Sequence, residues 1–515
     1  MTTEKISTLQ QLLACGSDTA VAISAPGAQA LTYAALRQQV GAAISALNGF
    51  GIGRNDRIAM VLPNGPEMAC AFLAVASAAT AAPLNPGYRA DEFEFYLSDL
   101  RAKALLVEKG SQSPAVAVAE KLGIMLLKLS PTGEVAGAFE LSRSKDDEDA
   151  APAKPATAGG YAETGDIALI LHTSGTTSRP KIVPLSQRNV CASACNVRDA
   201  VALSANDSGI NIMPMFHIHG LIAGLLAPLA AGGRIFCTPG FNALKFFGWM
   251  SEAKPTWYTA VPTMHQAITA RAANNRDIIA ANPLRFVRSS SSSMPPQVIR
   301  ELEQVFSAPL IESYGMTEAA HQMTSNPLPP RKRIPGSVGI AAGPEVGIMD
   351  QEEGKLLPAG ETGEIVIRGP NVTAGYENNP KANAEAFING WFRTGDQGVM
   401  DAAGYVSITG RLKEIINRGG EKISPREVDE VLMDHPAVAQ AVTFAVPHDK
   451  LGEDVAAAIV LREGKTASEK ELRDFAAIHL ADYKVPRKIL LLEEIPKGAT
   501  GKLQRIGLAQ KLGLT

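Results

Sequence analysis

What this sequence lacks narrows its function before any motif is read. It has no surplus of positive charge: 49 Lys and Arg against 52 Asp and Glu leave a formal charge of −3. That balance argues against a protein that works by neutralising nucleic-acid phosphates. The basic cluster Arg331, Lys332, Arg333 is local and reads as a solvated loop. Cysteine is sparse, and the five at positions 15, 70, 191, 195 and 237 show no metal-ligand spacing. Free buried thiols in a reducing compartment are expected. The apolar stretch 69–83 is too short and too alanine-rich to span a membrane. The beginning, MTTEKISTLQQLL, lacks the basic start and apolar core of a secretory signal. The ending KLGLT is not a peroxisomal address. A cytoplasmic protein without nucleic-acid or membrane partners, monomeric or homodimeric, is the expectation.

What is present fits a soluble enzyme. Apolar residues make up 46% and charged residues 20% of 515 residues. That length exceeds what one core usually supports, so two or more domains are expected. Apolar runs of strand character (RIAMVL 57–62, KALLVE 103–108, IALIL 167–171, GINIM 209–213, RIFC 234–237) alternate with longer helical patterns such as PEMACAFLAVASAA. Such alternation predicts an α/β fold of βα layers with largely parallel sheet. RSKDDEDAAPAKPATAGG (143–160) has nothing to bury and reads as an exposed connection. From about 345 the style changes: EVGIMD, GEIVIRG and GYVSITG are short runs between Gly turns, predicting an antiparallel or barrel-like subdomain. After Gly410 comes a compact α+β unit of about 100 residues. The predicted division is therefore 1–410 and 411–515, with no internal repeat.

Residues 171–181, LHTSGTTSRPK, concentrate small hydroxyls and two cations on a loop behind a predicted strand. The loop resembles a phosphate cradle, yet Lys181 lies between Pro180 and Ile182, so the Gly-Lys-Ser/Thr phosphate-loop pattern is absent. Four further stretches follow in order: SYGMTEA (313–319), WFRTGD (391–396), GRLKEIINRGGEKISP (410–425) and PKGATGKLQR (496–505). Each alone could be a turn. Together, in this order, they resemble the adenylate-forming superfamily of acyl-CoA synthetases, luciferases and peptide-synthetase adenylation domains, over essentially the whole chain.

The resemblance implies ATP, Mg²⁺ and coenzyme A as cofactor and co-substrates, with a carboxylic acid activated as its adenylate. It implies that Thr173, Ser174, Gly175, Thr176, Thr177 and Lys181 hold the β- and γ-phosphates. Ser291, Glu312, Ser313, Tyr314 and Gly315 would complete the nucleotide site, Tyr314 by stacking on adenine. Thr317 would contact the α-phosphate and Glu318 the magnesium ion, while Asp396 and Arg411 would hold the ribose. Lys502, on a small mobile C-terminal domain, would bridge the attacking carboxylate and the α-phosphate. Lys413 would be the hinge between half-reactions, and Gly419, Gly420 and Glu421 would meet coenzyme A. The chain departs from the family at Ser178 and Ile182, where relatives usually have Gly. A β-branched residue tolerates positive φ poorly, so Ile182 is either extended or stiffens the loop. The stiffening reading predicts that Ile182→Gly leaves the fold intact and kcat equal or higher.

The acid pocket of this family is built from three segments, here PMFHIHGL (214–221), RSSSSSMPP (288–296) and TEAAHQMTSNP (317–327). They bring His217, a gate position in relatives and a candidate catalytic group, together with His219, His321, Ser289, Ser290 and Ser291. A pocket so lined suits a second carboxylate, whose burial without donors would cost several kcal/mol. His265 reads as a satisfied core side chain. HTSGTTSRPK, TWYTAVPTMHQ, HQMTSNPLP and RGPNVTAGYENNP are together similar to oxalate–CoA ligases, although a His-x-His-Gly segment also occurs in malonate–CoA ligases. Oxalate ranks first as the acid, malonate or another short acid second, and a medium-chain or aromatic acid third. Adenylation serving a separate carrier protein and a non-catalytic nucleotide-binding protein are the other readings. The retained Lys502, Glu318 and Asp396 count against the last of these.

Overall fold

The computed structural model describes residues 6–143, 155–173, 180–496 and 503–514. The loop residues Ser174, Gly175, Thr176, Thr177 and Ser178, together with Lys502, lie outside these ranges. So does most of the charged connection expected between 143 and 160.

Among the described residues, the strands form sheets of nine, seven, five and five. In the nine-stranded sheet, Leu310–Met316, Phe286–Ser289, Trp257–Ala260, Ser208–Asn211, Arg234–Cys237 and Val21–Ser24 run parallel in that spatial order. Antiparallel strands close its edges, with His321–Ser325 next to Leu310–Met316. The seven-stranded sheet is likewise parallel inside and antiparallel at its edges, where Ile167–Thr173 pairs with Lys181–Ser186. Parallel strands buried on both faces read as continuous apolar runs, which is why these strands stand out in the sequence.

The alanine-rich stretch explains how the two sheets join. Helix Pro66–Ala76 is buried along Met68–Ala76 and packs in one core with Ile58, Met60 and Leu106 of one sheet and Ile23, Ile235 and Cys237 of the other. A helix apolar on all sides belongs between layers, and alanine lets it sit close to both. Among the described residues, no helix is long and apolar enough to cross a membrane. Cys70, Cys191 and Cys237 are buried as expected, but Cys15 is exposed.

The short Gly-punctuated runs form a five-stranded antiparallel sheet containing Glu345–Met349, Thr362–Arg368, Trp391–Met400 and Val406–Arg411. The last sheet carries Ile416–Arg418, Glu421–Ile423, Val438–His448, Gly452–Leu461 and Lys488–Leu491, with helices Pro425–Met433 and Glu469–His479. It has its own apolar cluster around Ile416, Val428, Leu432, Val455 and Leu472. A large N-terminal domain and a smaller C-terminal one result.

Ile182 is extended, in strand Lys181–Ser186 opposite His172. It is buried among Phe93, Leu97, Leu105 and Ile170. The stiff-loop reading is therefore corrected: this side chain is packed core. Ile182→Gly is expected to cost about 3–5 kcal/mol of unfolding free energy, from the cavity and the added backbone freedom. Denaturant unfolding measures it, and an unchanged midpoint would contradict the packing.

Candidate active site

Four neighbouring parallel strands deliver their carboxyl ends to one edge: Asn211, Ala260, Ser289 and the segment from Glu312 onward. Ligands of open parallel sheets bind in crevices outside such ends. The strand Leu310–Met316 leaves this edge by turning back into His321–Ser325. The turn depends on Gly315, where a Cβ would lie 1.5 Å from the His321 carbonyl oxygen. Ala320 and His321 then take φ of 47° and 97°, unusual for side chains with a Cβ.

On one side of this hairpin lies a polar triad. Tyr314 donates its hydroxyl to Asp396 Oδ2 at 2.5 Å, and Arg411 Nε donates to Asp396 Oδ1 at 2.9 Å. Asp396 and Arg411 are direct cross-strand partners, so the sheet sets their spacing. The Asp396 charge raises the Arg411 pKa, and burial followed by Asp396 raises that of Tyr314. Glu318, in the turn Thr317–Ala319, is buried, and its Oε1 accepts from Tyr376 Oη at 2.8 Å. Burial pushes the Glu318 pKa up, while its hydrogen bonds and the nearby Arg411 and Lys181 oppose that rise. The Lys181 ammonium sits 4.3 Å from the centre of the Tyr376 ring. Lys181 pairs with Thr173 across the two strands that bound the hydroxyl-rich loop. Thr317, half-buried, opens the turn.

The side chains of Glu312 and Ser313 make other contacts. Glu312 accepts from the Met294 backbone N–H at 3.3 Å, and burial raises its pKa to about 7. Ser313 donates to the Ser289 carbonyl at 3.4 Å. Their side chains are held by these contacts, which leaves their main-chain atoms at the strand end for a nucleotide. Strand alternation sends Ser313 and Tyr314 to opposite faces.

On the other side of the hairpin lie the histidines. His219 opens a π-helical stretch, His219–Leu226. There a Cβ at Gly220 would meet the Pro214 carbonyl at 2.3 Å, and one at Gly224 would meet Asn211 Oδ1 at 2.6 Å. Asn211 Nδ2 donates to the Gly220 carbonyl at 3.1 Å. Such wide turns often mark functional sites. The rings of His219 and His321 stack, with centroids 4.9 Å apart. Behind them lies Arg288, with 0% of its surface exposed. Its guanidinium reaches His321 Nε2 at 3.0 Å, Gln322 Oε1 at 2.9 Å, Thr259 Oγ1 at 3.3 Å and His219 Nε2 at 3.4 Å. An arginine only donates, so Nε2 of His321 accepts and its ring proton sits on Nδ1. His219 Nε2 also meets Thr259 Oγ1 at 2.7 Å, and its Nδ1 faces Ser291 Oγ at 3.0 Å. Among the described residues no carboxylate pairs with Arg288, and its Nε has no hydrogen-bond partner. Burial pushes its pKa down, to about 9.

Of the serine run, Ser291 meets His219. Ser290 donates to the Ser313 carbonyl at 3.0 Å, and Ser289 lies against Met294 Sδ at 4.0 Å. The hydroxyls of Ser289 and Ser290 are thus engaged by the sheet layer. His217 is half-buried beside Phe216, with ring centroids 4.6 Å apart. His265 is core, its Nδ1 3.1 Å from the Tyr258 hydroxyl, and burial lowers its pKa to about 3.

Gly419 and Gly420 form a two-residue hairpin turn with φ of 60° and 98°, between Arg418 and Glu421. Positive φ at both positions is the usual demand of such a turn. None of this hairpin's described hydrogen bonds reaches the Tyr314–Asp396–Arg411 triad. Lys413 is exposed in the turn Leu412–Glu414, which joins the third sheet to the fourth.

Sequence comparison decides what this constellation belongs to. The model of the AMP-binding enzyme family matches residues 12–377, and that of its C-terminal domain matches residues 427–502. The chain belongs to the AMP-binding enzyme family. It is an ATP-dependent acyl-CoA ligase. It is 46% identical to an oxalate–CoA ligase of Arabidopsis thaliana over 496 residues, covering 95% of each chain. It is 42% identical to an oxalate–CoA ligase of Saccharomyces cerevisiae over 481 residues, covering 89% of this chain and 87% of that one. The ATP-bound structure of MatB from Rhodopseudomonas palustris superposes with a TM-score of 0.87 at 29% identity, covering 99% of both chains. Use of ATP and coenzyme A is typical of such AMP-binding ligases. Arg288, Thr259, Gln322 and Tyr376 are the site residues that sequence reasoning missed. For Arg288 a signal existed: it is a lone charge inside the apolar strand Phe286–Ser289.

Proposed function

We propose that this ligase activates oxalate, converting oxalate, ATP and coenzyme A to oxalyl-CoA, AMP and diphosphate. The observation that carries the reading is Arg288, a fully buried cation behind two stacked imidazoles with no carboxylate partner among the described residues. Burying a charge without compensation is costly. A small dianionic acid at the histidine face would supply the compensation, His321 and Ser291 donating to its distal carboxylate. The similarity to two oxalate–CoA ligases points the same way.

In the first half-reaction an oxygen of the near carboxylate forms a bond to the α-phosphorus as the bond to diphosphate breaks. In the second, a thiolate adds to the acyl carbon and AMP leaves. Tyr314 would cover the adenine, and Asp396 and Arg411 would hold the ribose. Lys181, Thr173 and the loop between them would grip the β- and γ-phosphates, and Thr317 the α-phosphate. Glu318 fits a share in holding Mg²⁺. It is a buried carboxylate oriented by a hydroxyl, and Mg²⁺ is commonly held by one or two carboxylates completed by phosphates. No cluster of three or more metal-ligating side chains exists among the described residues, so phosphate oxygens would complete the set. When bound, the ion would offset polyphosphate charge. Lys502 would neutralise charge between the acid and the α-phosphate. The domains would divide at 410–411, with Lys413 as hinge and Gly419, Gly420 and Glu421 facing coenzyme A in the second conformation.

Diphosphate release measured across oxalate, malonate, acetate, octanoate and cinnamate tests this reading. Oxalate is expected to lead malonate by about 10–200-fold in kcat/KM, the range that one methylene commands in a fitted pocket. Preference for octanoate or cinnamate would overturn it.

A further inference from the structure

The segment Arg368 to Pro380, RGPNVTAGYENNP, has no role in the mechanism above, yet it is stitched to both halves of the phosphate grip. Thr373 donates its backbone N–H to the Glu318 carbonyl and its hydroxyl to the Pro184 carbonyl, both at 2.8 Å. Glu377 donates its backbone N–H to the Ile182 carbonyl at 3.1 Å and pairs through both carboxylate oxygens with Arg57. Tyr376 is clamped between these anchors. Its backbone N–H and carbonyl both bond the Asn383 side-chain amide, at 2.7 and 2.8 Å. At Gly375, φ is 144° and a Cβ would lie 2.9 Å from Asn383 Oδ1. The Tyr376 backbone is thus fixed from both sides, and its ring has little freedom left.

That ring faces two functional groups at once. Its hydroxyl donates to Glu318 Oε1 at 2.8 Å, and its π face carries the Lys181 ammonium at 4.3 Å. We infer that Tyr376 is a positioning residue that couples Lys181 to Glu318, so that polyphosphate and its divalent cation are gripped as one unit. A lysine has four rotatable bonds to order, and the ring face holds its ammonium before the phosphates arrive. The hydroxyl occupies one carboxylate oxygen of Glu318 and fixes the direction of the other, the usual service of groups behind a metal ligand. If the site needed only a packed aromatic, phenylalanine would serve equally well. The hydroxyl contact to Glu318 is the feature a packing role leaves unexplained.

The inference rests on the proposed roles of Glu318 and Lys181, and the test separates the two. ATP binding to the full-length protein is measured by calorimetry with and without Mg²⁺, for wild type, Tyr376→Phe, Tyr376→Leu and Glu318→Gln, with thermal unfolding alongside. Tyr376→Phe keeps the ring under Lys181. It is expected to leave Mg²⁺-free ATP affinity unchanged while losing about 10–100-fold of the affinity gained with Mg²⁺. Tyr376→Leu is expected to lose a further two- to fivefold or so without Mg²⁺. Thioester formation from supplied acyl-adenylate and coenzyme A, which involves no polyphosphate, is expected to stay near wild type in Tyr376→Phe. If Glu318→Gln loses the Mg²⁺-dependent gain and Tyr376→Phe keeps it, Tyr376 is packing alone and the inference falls. If Glu318→Gln itself keeps the gain, the role given to Glu318 falls and the inference with it. A loss in Tyr376→Phe that is equal with and without Mg²⁺ and tracks a lowered melting temperature also overturns it. Should Tyr376→Leu fail to fold, Tyr376→Phe decides.

Discussion

Arg288→Met is expected to lower kcat/KM for oxalate by about 10²-fold while leaving acetate within a few-fold of wild type. In the proposed arrangement the guanidinium would act on the distal carboxylate through one imidazole. At about 6 Å and an effective dielectric of about 20, a unit charge pair is worth about 3 kcal/mol, or about 10²-fold. Methionine keeps much of the volume and removes the charge, so the histidine rings keep their packing but lose the donor to His321 Nε2. The folding side of the prediction has the opposite sign. In the free protein Arg288 is buried without a carboxylate partner among the described residues, and apolar replacement of buried charge is often neutral or stabilising. The melting temperature of Arg288→Met is expected to equal or exceed that of wild type. Oxalate is expected to raise the melting temperature of wild type and to leave that of Arg288→Met unchanged. Equal losses on oxalate and acetate would show that Arg288 supports the architecture and not the second carboxylate.

The other large effect concerns Lys502. In the adenylation transition state, charge builds on α-phosphate oxygens as the acid's carboxylate approaches. An ammonium placed between them removes the repulsion and aligns attack. Loss of one preorganised electrostatic contact typically costs about 10²–10³ in rate. Lys502→Ala is therefore expected to lower acid-dependent diphosphate release by that factor. Chemically supplied acyl-adenylate and coenzyme A are still expected to give thioester at close to the wild-type rate, since a thiolate attacking a preformed adenylate gains nothing from that cation. Unfolding is expected to shift by less than about 0.5 kcal/mol. Parallel loss of both half-reactions would refute a lysine confined to adenylation.

How much of this could be read beforehand differs by physical cause. The strand at 234–237 matches the sequence reading residue for residue, and Ile167–Thr173 and Thr362–Arg368 fall where expected. Apolar periodicity is a local property, and these elements carry it strongly. The order of strands in the sheets is not local, and nothing in the sequence supplied it. The same divide runs through the site. Asp396 and Arg411 were legible because they stand in fixed motifs, and the structure adds their direct pairing. Five serines in a row look alike as letters, and the backbone beyond the strand end, with φ of 74° at Ser291, turns Ser291 toward His219 and leaves Ser290 toward the Ser313 carbonyl. Arg288 was overlooked because its meaning lies in partners 33 and 34 residues away, His321 and Gln322. Tyr376 meets Glu318 across 58 residues. For Ile182 the sequence left two readings open, and pairing with a strand partner, which is not a local property, decides for the extended one.

If His321 faces the acid as proposed, the positive φ at position 321 would limit how this enzyme can drift toward other acids. Tyr314 and His321 hang from one hairpin whose closure demands glycine at 315. Residue 321 itself has φ of 97°. Valine, isoleucine and threonine at 321 would add backbone strain to whatever they change in the pocket, whereas asparagine, aspartate and glycine tolerate that geometry. The substitutions that would most directly make the pocket apolar thus carry a folding penalty that the small polar ones escape. Ser291, with φ of 74°, carries the same restriction, so a path to a hydrophobic acid would begin elsewhere, in the wide turn of His219, and would reach positions 291 and 321 last or by way of glycine. With His321 in the proposed role, specificity would be held by the shape of the main chain as well as by the side chain it presents.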